Sequence, residues 1–168
     1  MNTTNRNFKF ILIITVLAAI VVMVFNSNFY KPPKGELESI AYRAYGDAGG
    51  SYIYYCLSKE RDESIILKTS IAASSGEKKV ETDYSCTPED FEAVEDFLIE
   101  NGLLRKGKIN TLPTLSLDTP TTSITIWLKG KRYLIYEGQK PPTFYREKIP
   151  ALQEELSALA RPENIIEP

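Results

Sequence analysis

The chain has 168 residues, 25% of them charged and 43% hydrophobic, with a formal net charge of −2. This composition is globular rather than disordered, allows one domain plus a short appendage, and carries too little charge to argue for a nucleic-acid partner. Histidine is absent, which excludes His-based acid–base catalysis, Ser–His and Cys–His dyads and the usual zinc sites.

Residues 1–30 predict a membrane anchor. The run Phe10, Ile11, Leu12, Ile13, Ile14, Thr15, Val16, Leu17, Ala18, Ala19, Ile20, Val21, Val22, Met23, Val24 and Phe25 has Thr15 as its single polar residue. As a helix it covers about 24 Å of a hydrocarbon layer roughly 30 Å thick. A snorkelling Lys9 and the Phe29-Tyr30 pair extend it to both interfaces. A cleaved signal peptide ends at a small-x-small site, whereas Ala18 and Ala19 sit mid-run and the exit reads Val24-Phe25-Asn26-Ser27. The segment is therefore expected to be an uncleaved, single-pass signal-anchor held by membrane lipid. Arg6 and Lys9 precede it and Lys31, Lys34 and Arg43 follow it, so the Lys/Arg count leaves orientation open. A very short basic N-terminus before one span favours a domain outside the cytoplasm.

Residues 31–36, with Lys31-Pro32-Pro33-Lys34-Gly35, read as a linker that is stiff and then flexible. The domain is expected over 37–161. Residues 36–45 match a helical template through Leu37, Ile40, Ala41, Ala44 and Tyr45, yet Ile40, Tyr42 and Ala44 also alternate. Because this stretch runs into Gly46-Asp47-Ala48-Gly49-Gly50 and then the strand-like residues 51–58, a hairpin is predicted. Residues 64–72 and 79–85 predict two more strands around the turn Ser74-Ser75-Gly76.

The clearest helix follows. Thr87 is an N-cap, Pro88 suits the first helical position, and Glu89 and Asp90 suit the positive end of the dipole. Phe91, Val94, Phe97 and Leu98 form its inner face, and Gly102 stops it with Leu103 as the hydrophobic contact beyond. Residues 105–120 read as a loop. Residues 121–129 and 131–137 predict a hairpin about Gly130, with Ile124, Ile126 and Leu128 alternating against Thr125 and Trp127. After Pro141-Pro142, Pro150 opens a last helix through Leu152, Leu156 and Leu159. Residues 162–168 are expected to be a frayed tail. Four strands, a helix, two strands and a helix make an α+β domain: an antiparallel sheet with its helices on one face.

Several of these features also resemble a loose class of uncharacterised bacterial secreted or membrane-anchored α+β domains. They are the hairpin with a Gly-rich turn (Tyr42, Gly46, Gly49, Gly50, Tyr52), the acidic helix ending at Asn101-Gly102, and the strands carrying Trp127 and ending at Gly138-x-x-Pro141. The likeness spans about residues 38–160. Lys129-Gly130 replaces the usual Asp-Gly hairpin turn, and the aromatic residue expected after the helix is missing. The resemblance implies a fold and no activity.

Cys56 and Cys86 are the two cysteines, and an even count in a translocated domain predicts a disulfide. Closing that loop is worth roughly 3–4 kcal/mol on the chain-entropy model; the alternative is two buried free thiols. Residues 81–100 hold eight acids and no base, whereas 105–140 hold seven bases and two acids. This is read as a solvated helix face compensated by the basic segment after it, and no loop has calcium-binding spacing, so no metal or cofactor is expected. Tyr42, Tyr52, Tyr54 and Tyr55 form a candidate binding surface, with half-buried sheet packing as the ordinary alternative. Trp127 is assigned to core or sheet packing. No catalytic motif is present, which favours a tethered, non-catalytic module that binds a protein or an envelope component; the alternative is a carboxylate-dependent envelope hydrolase.

Overall fold

The computed structural model describes residues 35–46, 50–74, 76–104, 109 and 121–167. The apolar run 10–25, the Pro-Pro stalk and most of the 105–120 segment lie outside the described residues. Among the described residues no helix is long and apolar enough to cross a membrane.

In chain order the elements are β1 (Leu37–Tyr45), β2 (Tyr52–Lys59), β3 (Ile65–Ala72), β4 (Val80–Cys86), α1 (Pro88–Glu100), β5 (Thr121–Leu128), β6 (Lys131–Gly138) and α2 (Lys148–Ala158), with 3-10 turns at Thr143–Tyr145 and Pro162–Asn164. The six strands form one sheet in the order β4-β3-β2-β1-β5-β6, and every pairing is antiparallel. Two helices accompany the sheet, so the domain is α+β.

Segment 36–45 is a strand despite its helical template, because it pairs on both sides. Ile40 faces Leu57 of β2 and Ile126 of β5, and Tyr42 faces Tyr55 and Ile124. Occupying an interior position, β1 satisfies both rows of its backbone groups at once, which no isolated helix propensity outweighs.

Successive strand side chains point to opposite faces. One face carries Ile40 and Tyr42 of β1, Tyr55 and Leu57 of β2, Ile65 and Leu67 of β3, and Ile124, Ile126 and Leu128 of β5, all buried. These pack in one cluster with Phe91, Val94 and Leu98 of α1 and Ile149, Leu152 and Leu156 of α2. Burying each such side chain stabilises by about 1.5–3 kcal/mol relative to leaving it in water. Both helices therefore cover the same face. Tyr42 Oη donates to Gln153 Oε1 at 3.0 Å, tying α2 to the sheet centre.

Helix α1 begins with a capping box: Thr87 Oγ1 accepts from Asp90 N at 3.2 Å, and Thr87 N donates to Asp90 Oδ2 at 2.9 Å. It ends in a Schellman motif, with Leu103 N donating to Leu98 O at 2.7 Å and Gly102 N to Ile99 O at 3.0 Å. Gly102 takes φ 65°, the left-handed position where other residues are strained.

The tail is docked rather than frayed. Ile165 bridges to Tyr84, Ile166 N donates to Asp83 O at 2.9 Å, and Arg161 pairs with Asp90 at 3.2 Å. The edge strand β4 leaves outward backbone groups unpaired, and the tail covers part of them.

Candidate functional site

The face of the sheet opposite the helices is the candidate site. The strand register sets out its side chains in rows. One row reads Tyr54, Arg43, Ser123 and Glu137 across β2, β1, β5 and β6; the next reads Cys56, Ala41, Thr125 and Leu134; the third reads Ser58, Ser39, Trp127 and Arg132. Between the long side chains of Arg43, Tyr54 and Glu137 at one end and Trp127 and Arg132 at the other lies a hollow of about 370 Å³, lined also by Ala41, Ser123, Thr125 and Leu134. That volume lies within the range of small-ligand sites.

Trp127 is the single tryptophan of the chain. It stands between this hollow and a second one of about 630 Å³, lined among others by Glu38, Ser39, Ser58, Glu60 and Arg61. Ser39 and Ser58 are its small neighbours in the same row. Arg132 lies directly across from Trp127 on β6. At the far end the Arg43 guanidinium lies 5.4 Å from the Tyr54 ring centroid, a cation–π contact that orients it. Tyr45 and Tyr52 meet beyond it at a tilt of 50° with centroids 5.2 Å apart, and Lys79 Nζ sits 4.0 Å from the Tyr52 ring centroid.

The phenols Tyr52 and Tyr54 and the Cys56 thiol on this face all have raised pKa values. Burial pushes the Tyr54 hydroxyl well above its ordinary value, assisted by Cys56. Burial also raises Tyr52 and the Cys56 thiol. No nucleophile on this face is activated by a lowered pKa; the arrangement offers guanidiniums, aromatic rings and hydroxyls, which suits binding.

The predicted site residues divide between the two faces. Tyr52 and Tyr54 lie on the open face. Tyr42 and Tyr55 do not form a binding surface: they are 3% and 6% exposed and sit in the helix-covered core. Tyr54 and Tyr55 are adjacent in one strand, so they point in opposite directions. The expected disulfide is likewise absent, since both cysteines are free. Cys56 pairs with Lys68 on the open face, whereas Cys86 of β4 pairs with Ile65 and joins the core. The whole width of β3 and opposite faces of the sheet separate them, which a disulfide's reach does not span. Trp127, assigned to core or sheet packing, is half-buried on the open face between the two hollows. Arg43, Arg132 and Ser123 were missed. The alternation of Trp127 and Thr125 against Ile124, Ile126 and Leu128 was the signal that placed β5's polar side outward.

A further concavity of about 310 Å³ lies beside α1, lined by Glu36, Leu37, Lys59, Glu63, Ile65, Pro88, Phe91, Glu92 and Glu95. Glu36 pairs with Lys59 at 3.3 Å. The Glu95 carboxyl is held above its ordinary range, first by burial and then by the charges of Asp96, Glu36 and Glu92. Among the described residues no group of three or more potential ligands is placed to hold a metal ion. The chain matches no protein-family model, and no curated protein is detectably similar to it.

Proposed function

We propose that this protein is a membrane-tethered, non-catalytic binding module that presents the open face of its sheet to an envelope component outside the cytoplasm. The apolar run 10–25 supports the tether, and its short basic N-terminal flank supports the orientation. The observation that carries the binding reading is the hollow itself: one indole, one tyrosine ring, two guanidiniums and the Glu137 carboxylate around Ala41, Ser123, Thr125 and Leu134. Large exposed apolar side chains lie elsewhere, at Tyr45, Ile71, Val80, Ile99, Phe144, Ile165 and Ile166. A polar floor between aromatic and cationic walls suits a ligand with both a flat apolar surface and polar groups.

The test is retention of solubilised envelope material by the full-length chain immobilised in detergent micelles. Retention lost in Trp127→Ala, with the circular dichroism spectrum unchanged, supports the proposal. Retention indifferent to Trp127, or none at all, overturns it. The alternative of a carboxylate-dependent hydrolase rests on the acid-lined concavity with the raised Glu95. It predicts turnover of an envelope polymer that Glu95→Gln abolishes without unfolding.

A further inference from the structure

We infer that the hollow beside Trp127 is a subsite for an acidic sugar within an envelope glycan. This rests on the binding reading above and names the chemistry that reading leaves open. A pyranose ring has one face of C–H groups that packs on an indole, and hydroxyls around its edge that need hydrogen-bonding partners. Trp127 offers the ring surface, and Ser123 and Thr125 place hydroxyls along the floor. Arg132 stands directly across from Trp127 on the neighbouring strand. A carboxylate on a sugar stacked against the indole therefore meets a guanidinium whose planar fork suits bidentate pairing. Among the described residues no ion pair engages Arg132. Arg43 and Glu137 close the far end in the row of Ser123, which lies four residues from Trp127, about 14 Å along the strand, so that end is not the anionic subsite and the acid belongs at Arg132. That distance accommodates more than one sugar ring.

Charge decides between glycan classes. The hollow beyond Trp127 is acidic, with Glu36, Glu38, Glu60 and Glu63 against Lys59 and Arg61. A uniformly anionic polymer is repelled there. A repeat that alternates an acidic with a neutral sugar fits, with the acid on the Arg132 side of the indole and the neutral ring on the other. A protein partner is the poorer occupant. None of the large exposed apolar residues lines this hollow, whereas a protein interface needs an apolar core within about 800 Å² on each partner.

The experiment uses the full-length chain in a detergent without a sugar headgroup, with Trp127 emission as the readout. The probes are cellobiouronic acid, cellobiose and a glutamate oligopeptide. The expected result is a saturable emission change with cellobiouronic acid and an affinity about tenfold or more weaker for cellobiose, the loss of one charge-assisted pair. Arg132→Gln, an exposed substitution, brings the acid down to the neutral sugar. Equal affinity for both sugars overturns the inference, as does tighter binding of the oligopeptide. A Trp127 response to solubilised envelope but to neither sugar also overturns it while leaving the proposed function standing. No response to either envelope or sugar removes both.

Discussion

Leu98→Ala isolates the contribution of the α1–sheet contact. Leu98 is fully buried, and its backbone carbonyl anchors the Schellman motif by accepting from Leu103 and Leu104. Alanine keeps that carbonyl and the helix propensity, so the substitution removes packing and little else. Three lost carbons at about 0.8 kcal/mol each cost about 2.4 kcal/mol. A residual cavity on the order of 50 Å³ adds about 1 kcal/mol. The expected loss is therefore about 3 kcal/mol, or roughly 10 °C in Tm for a domain of this size. Urea unfolding followed by far-UV circular dichroism measures it, with Glu92→Gln as the control. Glu92 is exposed on the opposite stripe and should change stability by no more than about 0.5 kcal/mol. A Leu98→Ala loss below about 1 kcal/mol, or one matched by Glu92→Gln, refutes the packing of α1 described above.

Glu95→Gln tests the crowding of carboxylates beside α1. Its folded pKa is raised, so the folded state favours the protonated form. Stability from this group is full below the unfolded value of about 4.3 and is lost as pH rises through the folded pKa. Gln should therefore raise Tm at neutral pH and have no effect in acid; a loss at pH 7 contradicts the assignment. Gly102→Ala forces a Cβ into the left-handed region at φ 65° and should cost about 1–2 kcal/mol by urea titration. Tyr136 Oη is buried without a hydrogen-bond partner among the described residues, and burial together with Tyr42 pushes its pKa up to about 12. Tyr136→Phe should leave stability unchanged or raise it by up to about 1 kcal/mol; a clear loss means the hydroxyl has a partner. Thiol titration of the denatured, unreduced chain should find two free thiols, and thermal unfolding should be indifferent to reductant. One disulfide per chain restores the Cys56–Cys86 bridge.

Local chemistry made much of the fold legible. Thr87-Pro88 before an acidic turn and Gly102-Leu103 after an apolar stripe specify both ends of α1 through hydrogen bonds made within a few residues. The β5–β6 hairpin was legible for a similar reason: alternation marks one buried face, and Lys129 and Gly130 take the positive φ values of 48° and 72° that its tight turn requires. Segment 36–45 was ambiguous because its pattern fits two periods, and only pairing with both β2 and β5 decides between them. That information is non-local. The same holds for the tail, whose docking depends on the free edge of β4 and on Asp90, more than seventy residues earlier.

The open face was harder to read because it is assembled across strands distant in sequence. Arg43, Ser123 and Glu137 share a row only through the order β1-β5-β6. Composition drew attention to the tyrosine cluster instead, and strand geometry divides that cluster: Tyr54 and Tyr55 cannot lie on one surface of a regular strand. The same rule separates Cys56 from Cys86. Cys56 shares a face with Tyr54 and Ser58, whereas Cys86 shares one with Tyr84 and the core, so an even cysteine count in this chain did not imply proximity. Trp127 marks the limit of composition from the other side. A lone tryptophan is usually assigned to a core, but the core side of β5 is already filled by Ile124, Ile126 and Leu128, each no more than 2% exposed. The parity that buries those three leaves Trp127 facing outward, beside Arg132 and in the same hollow as Arg43.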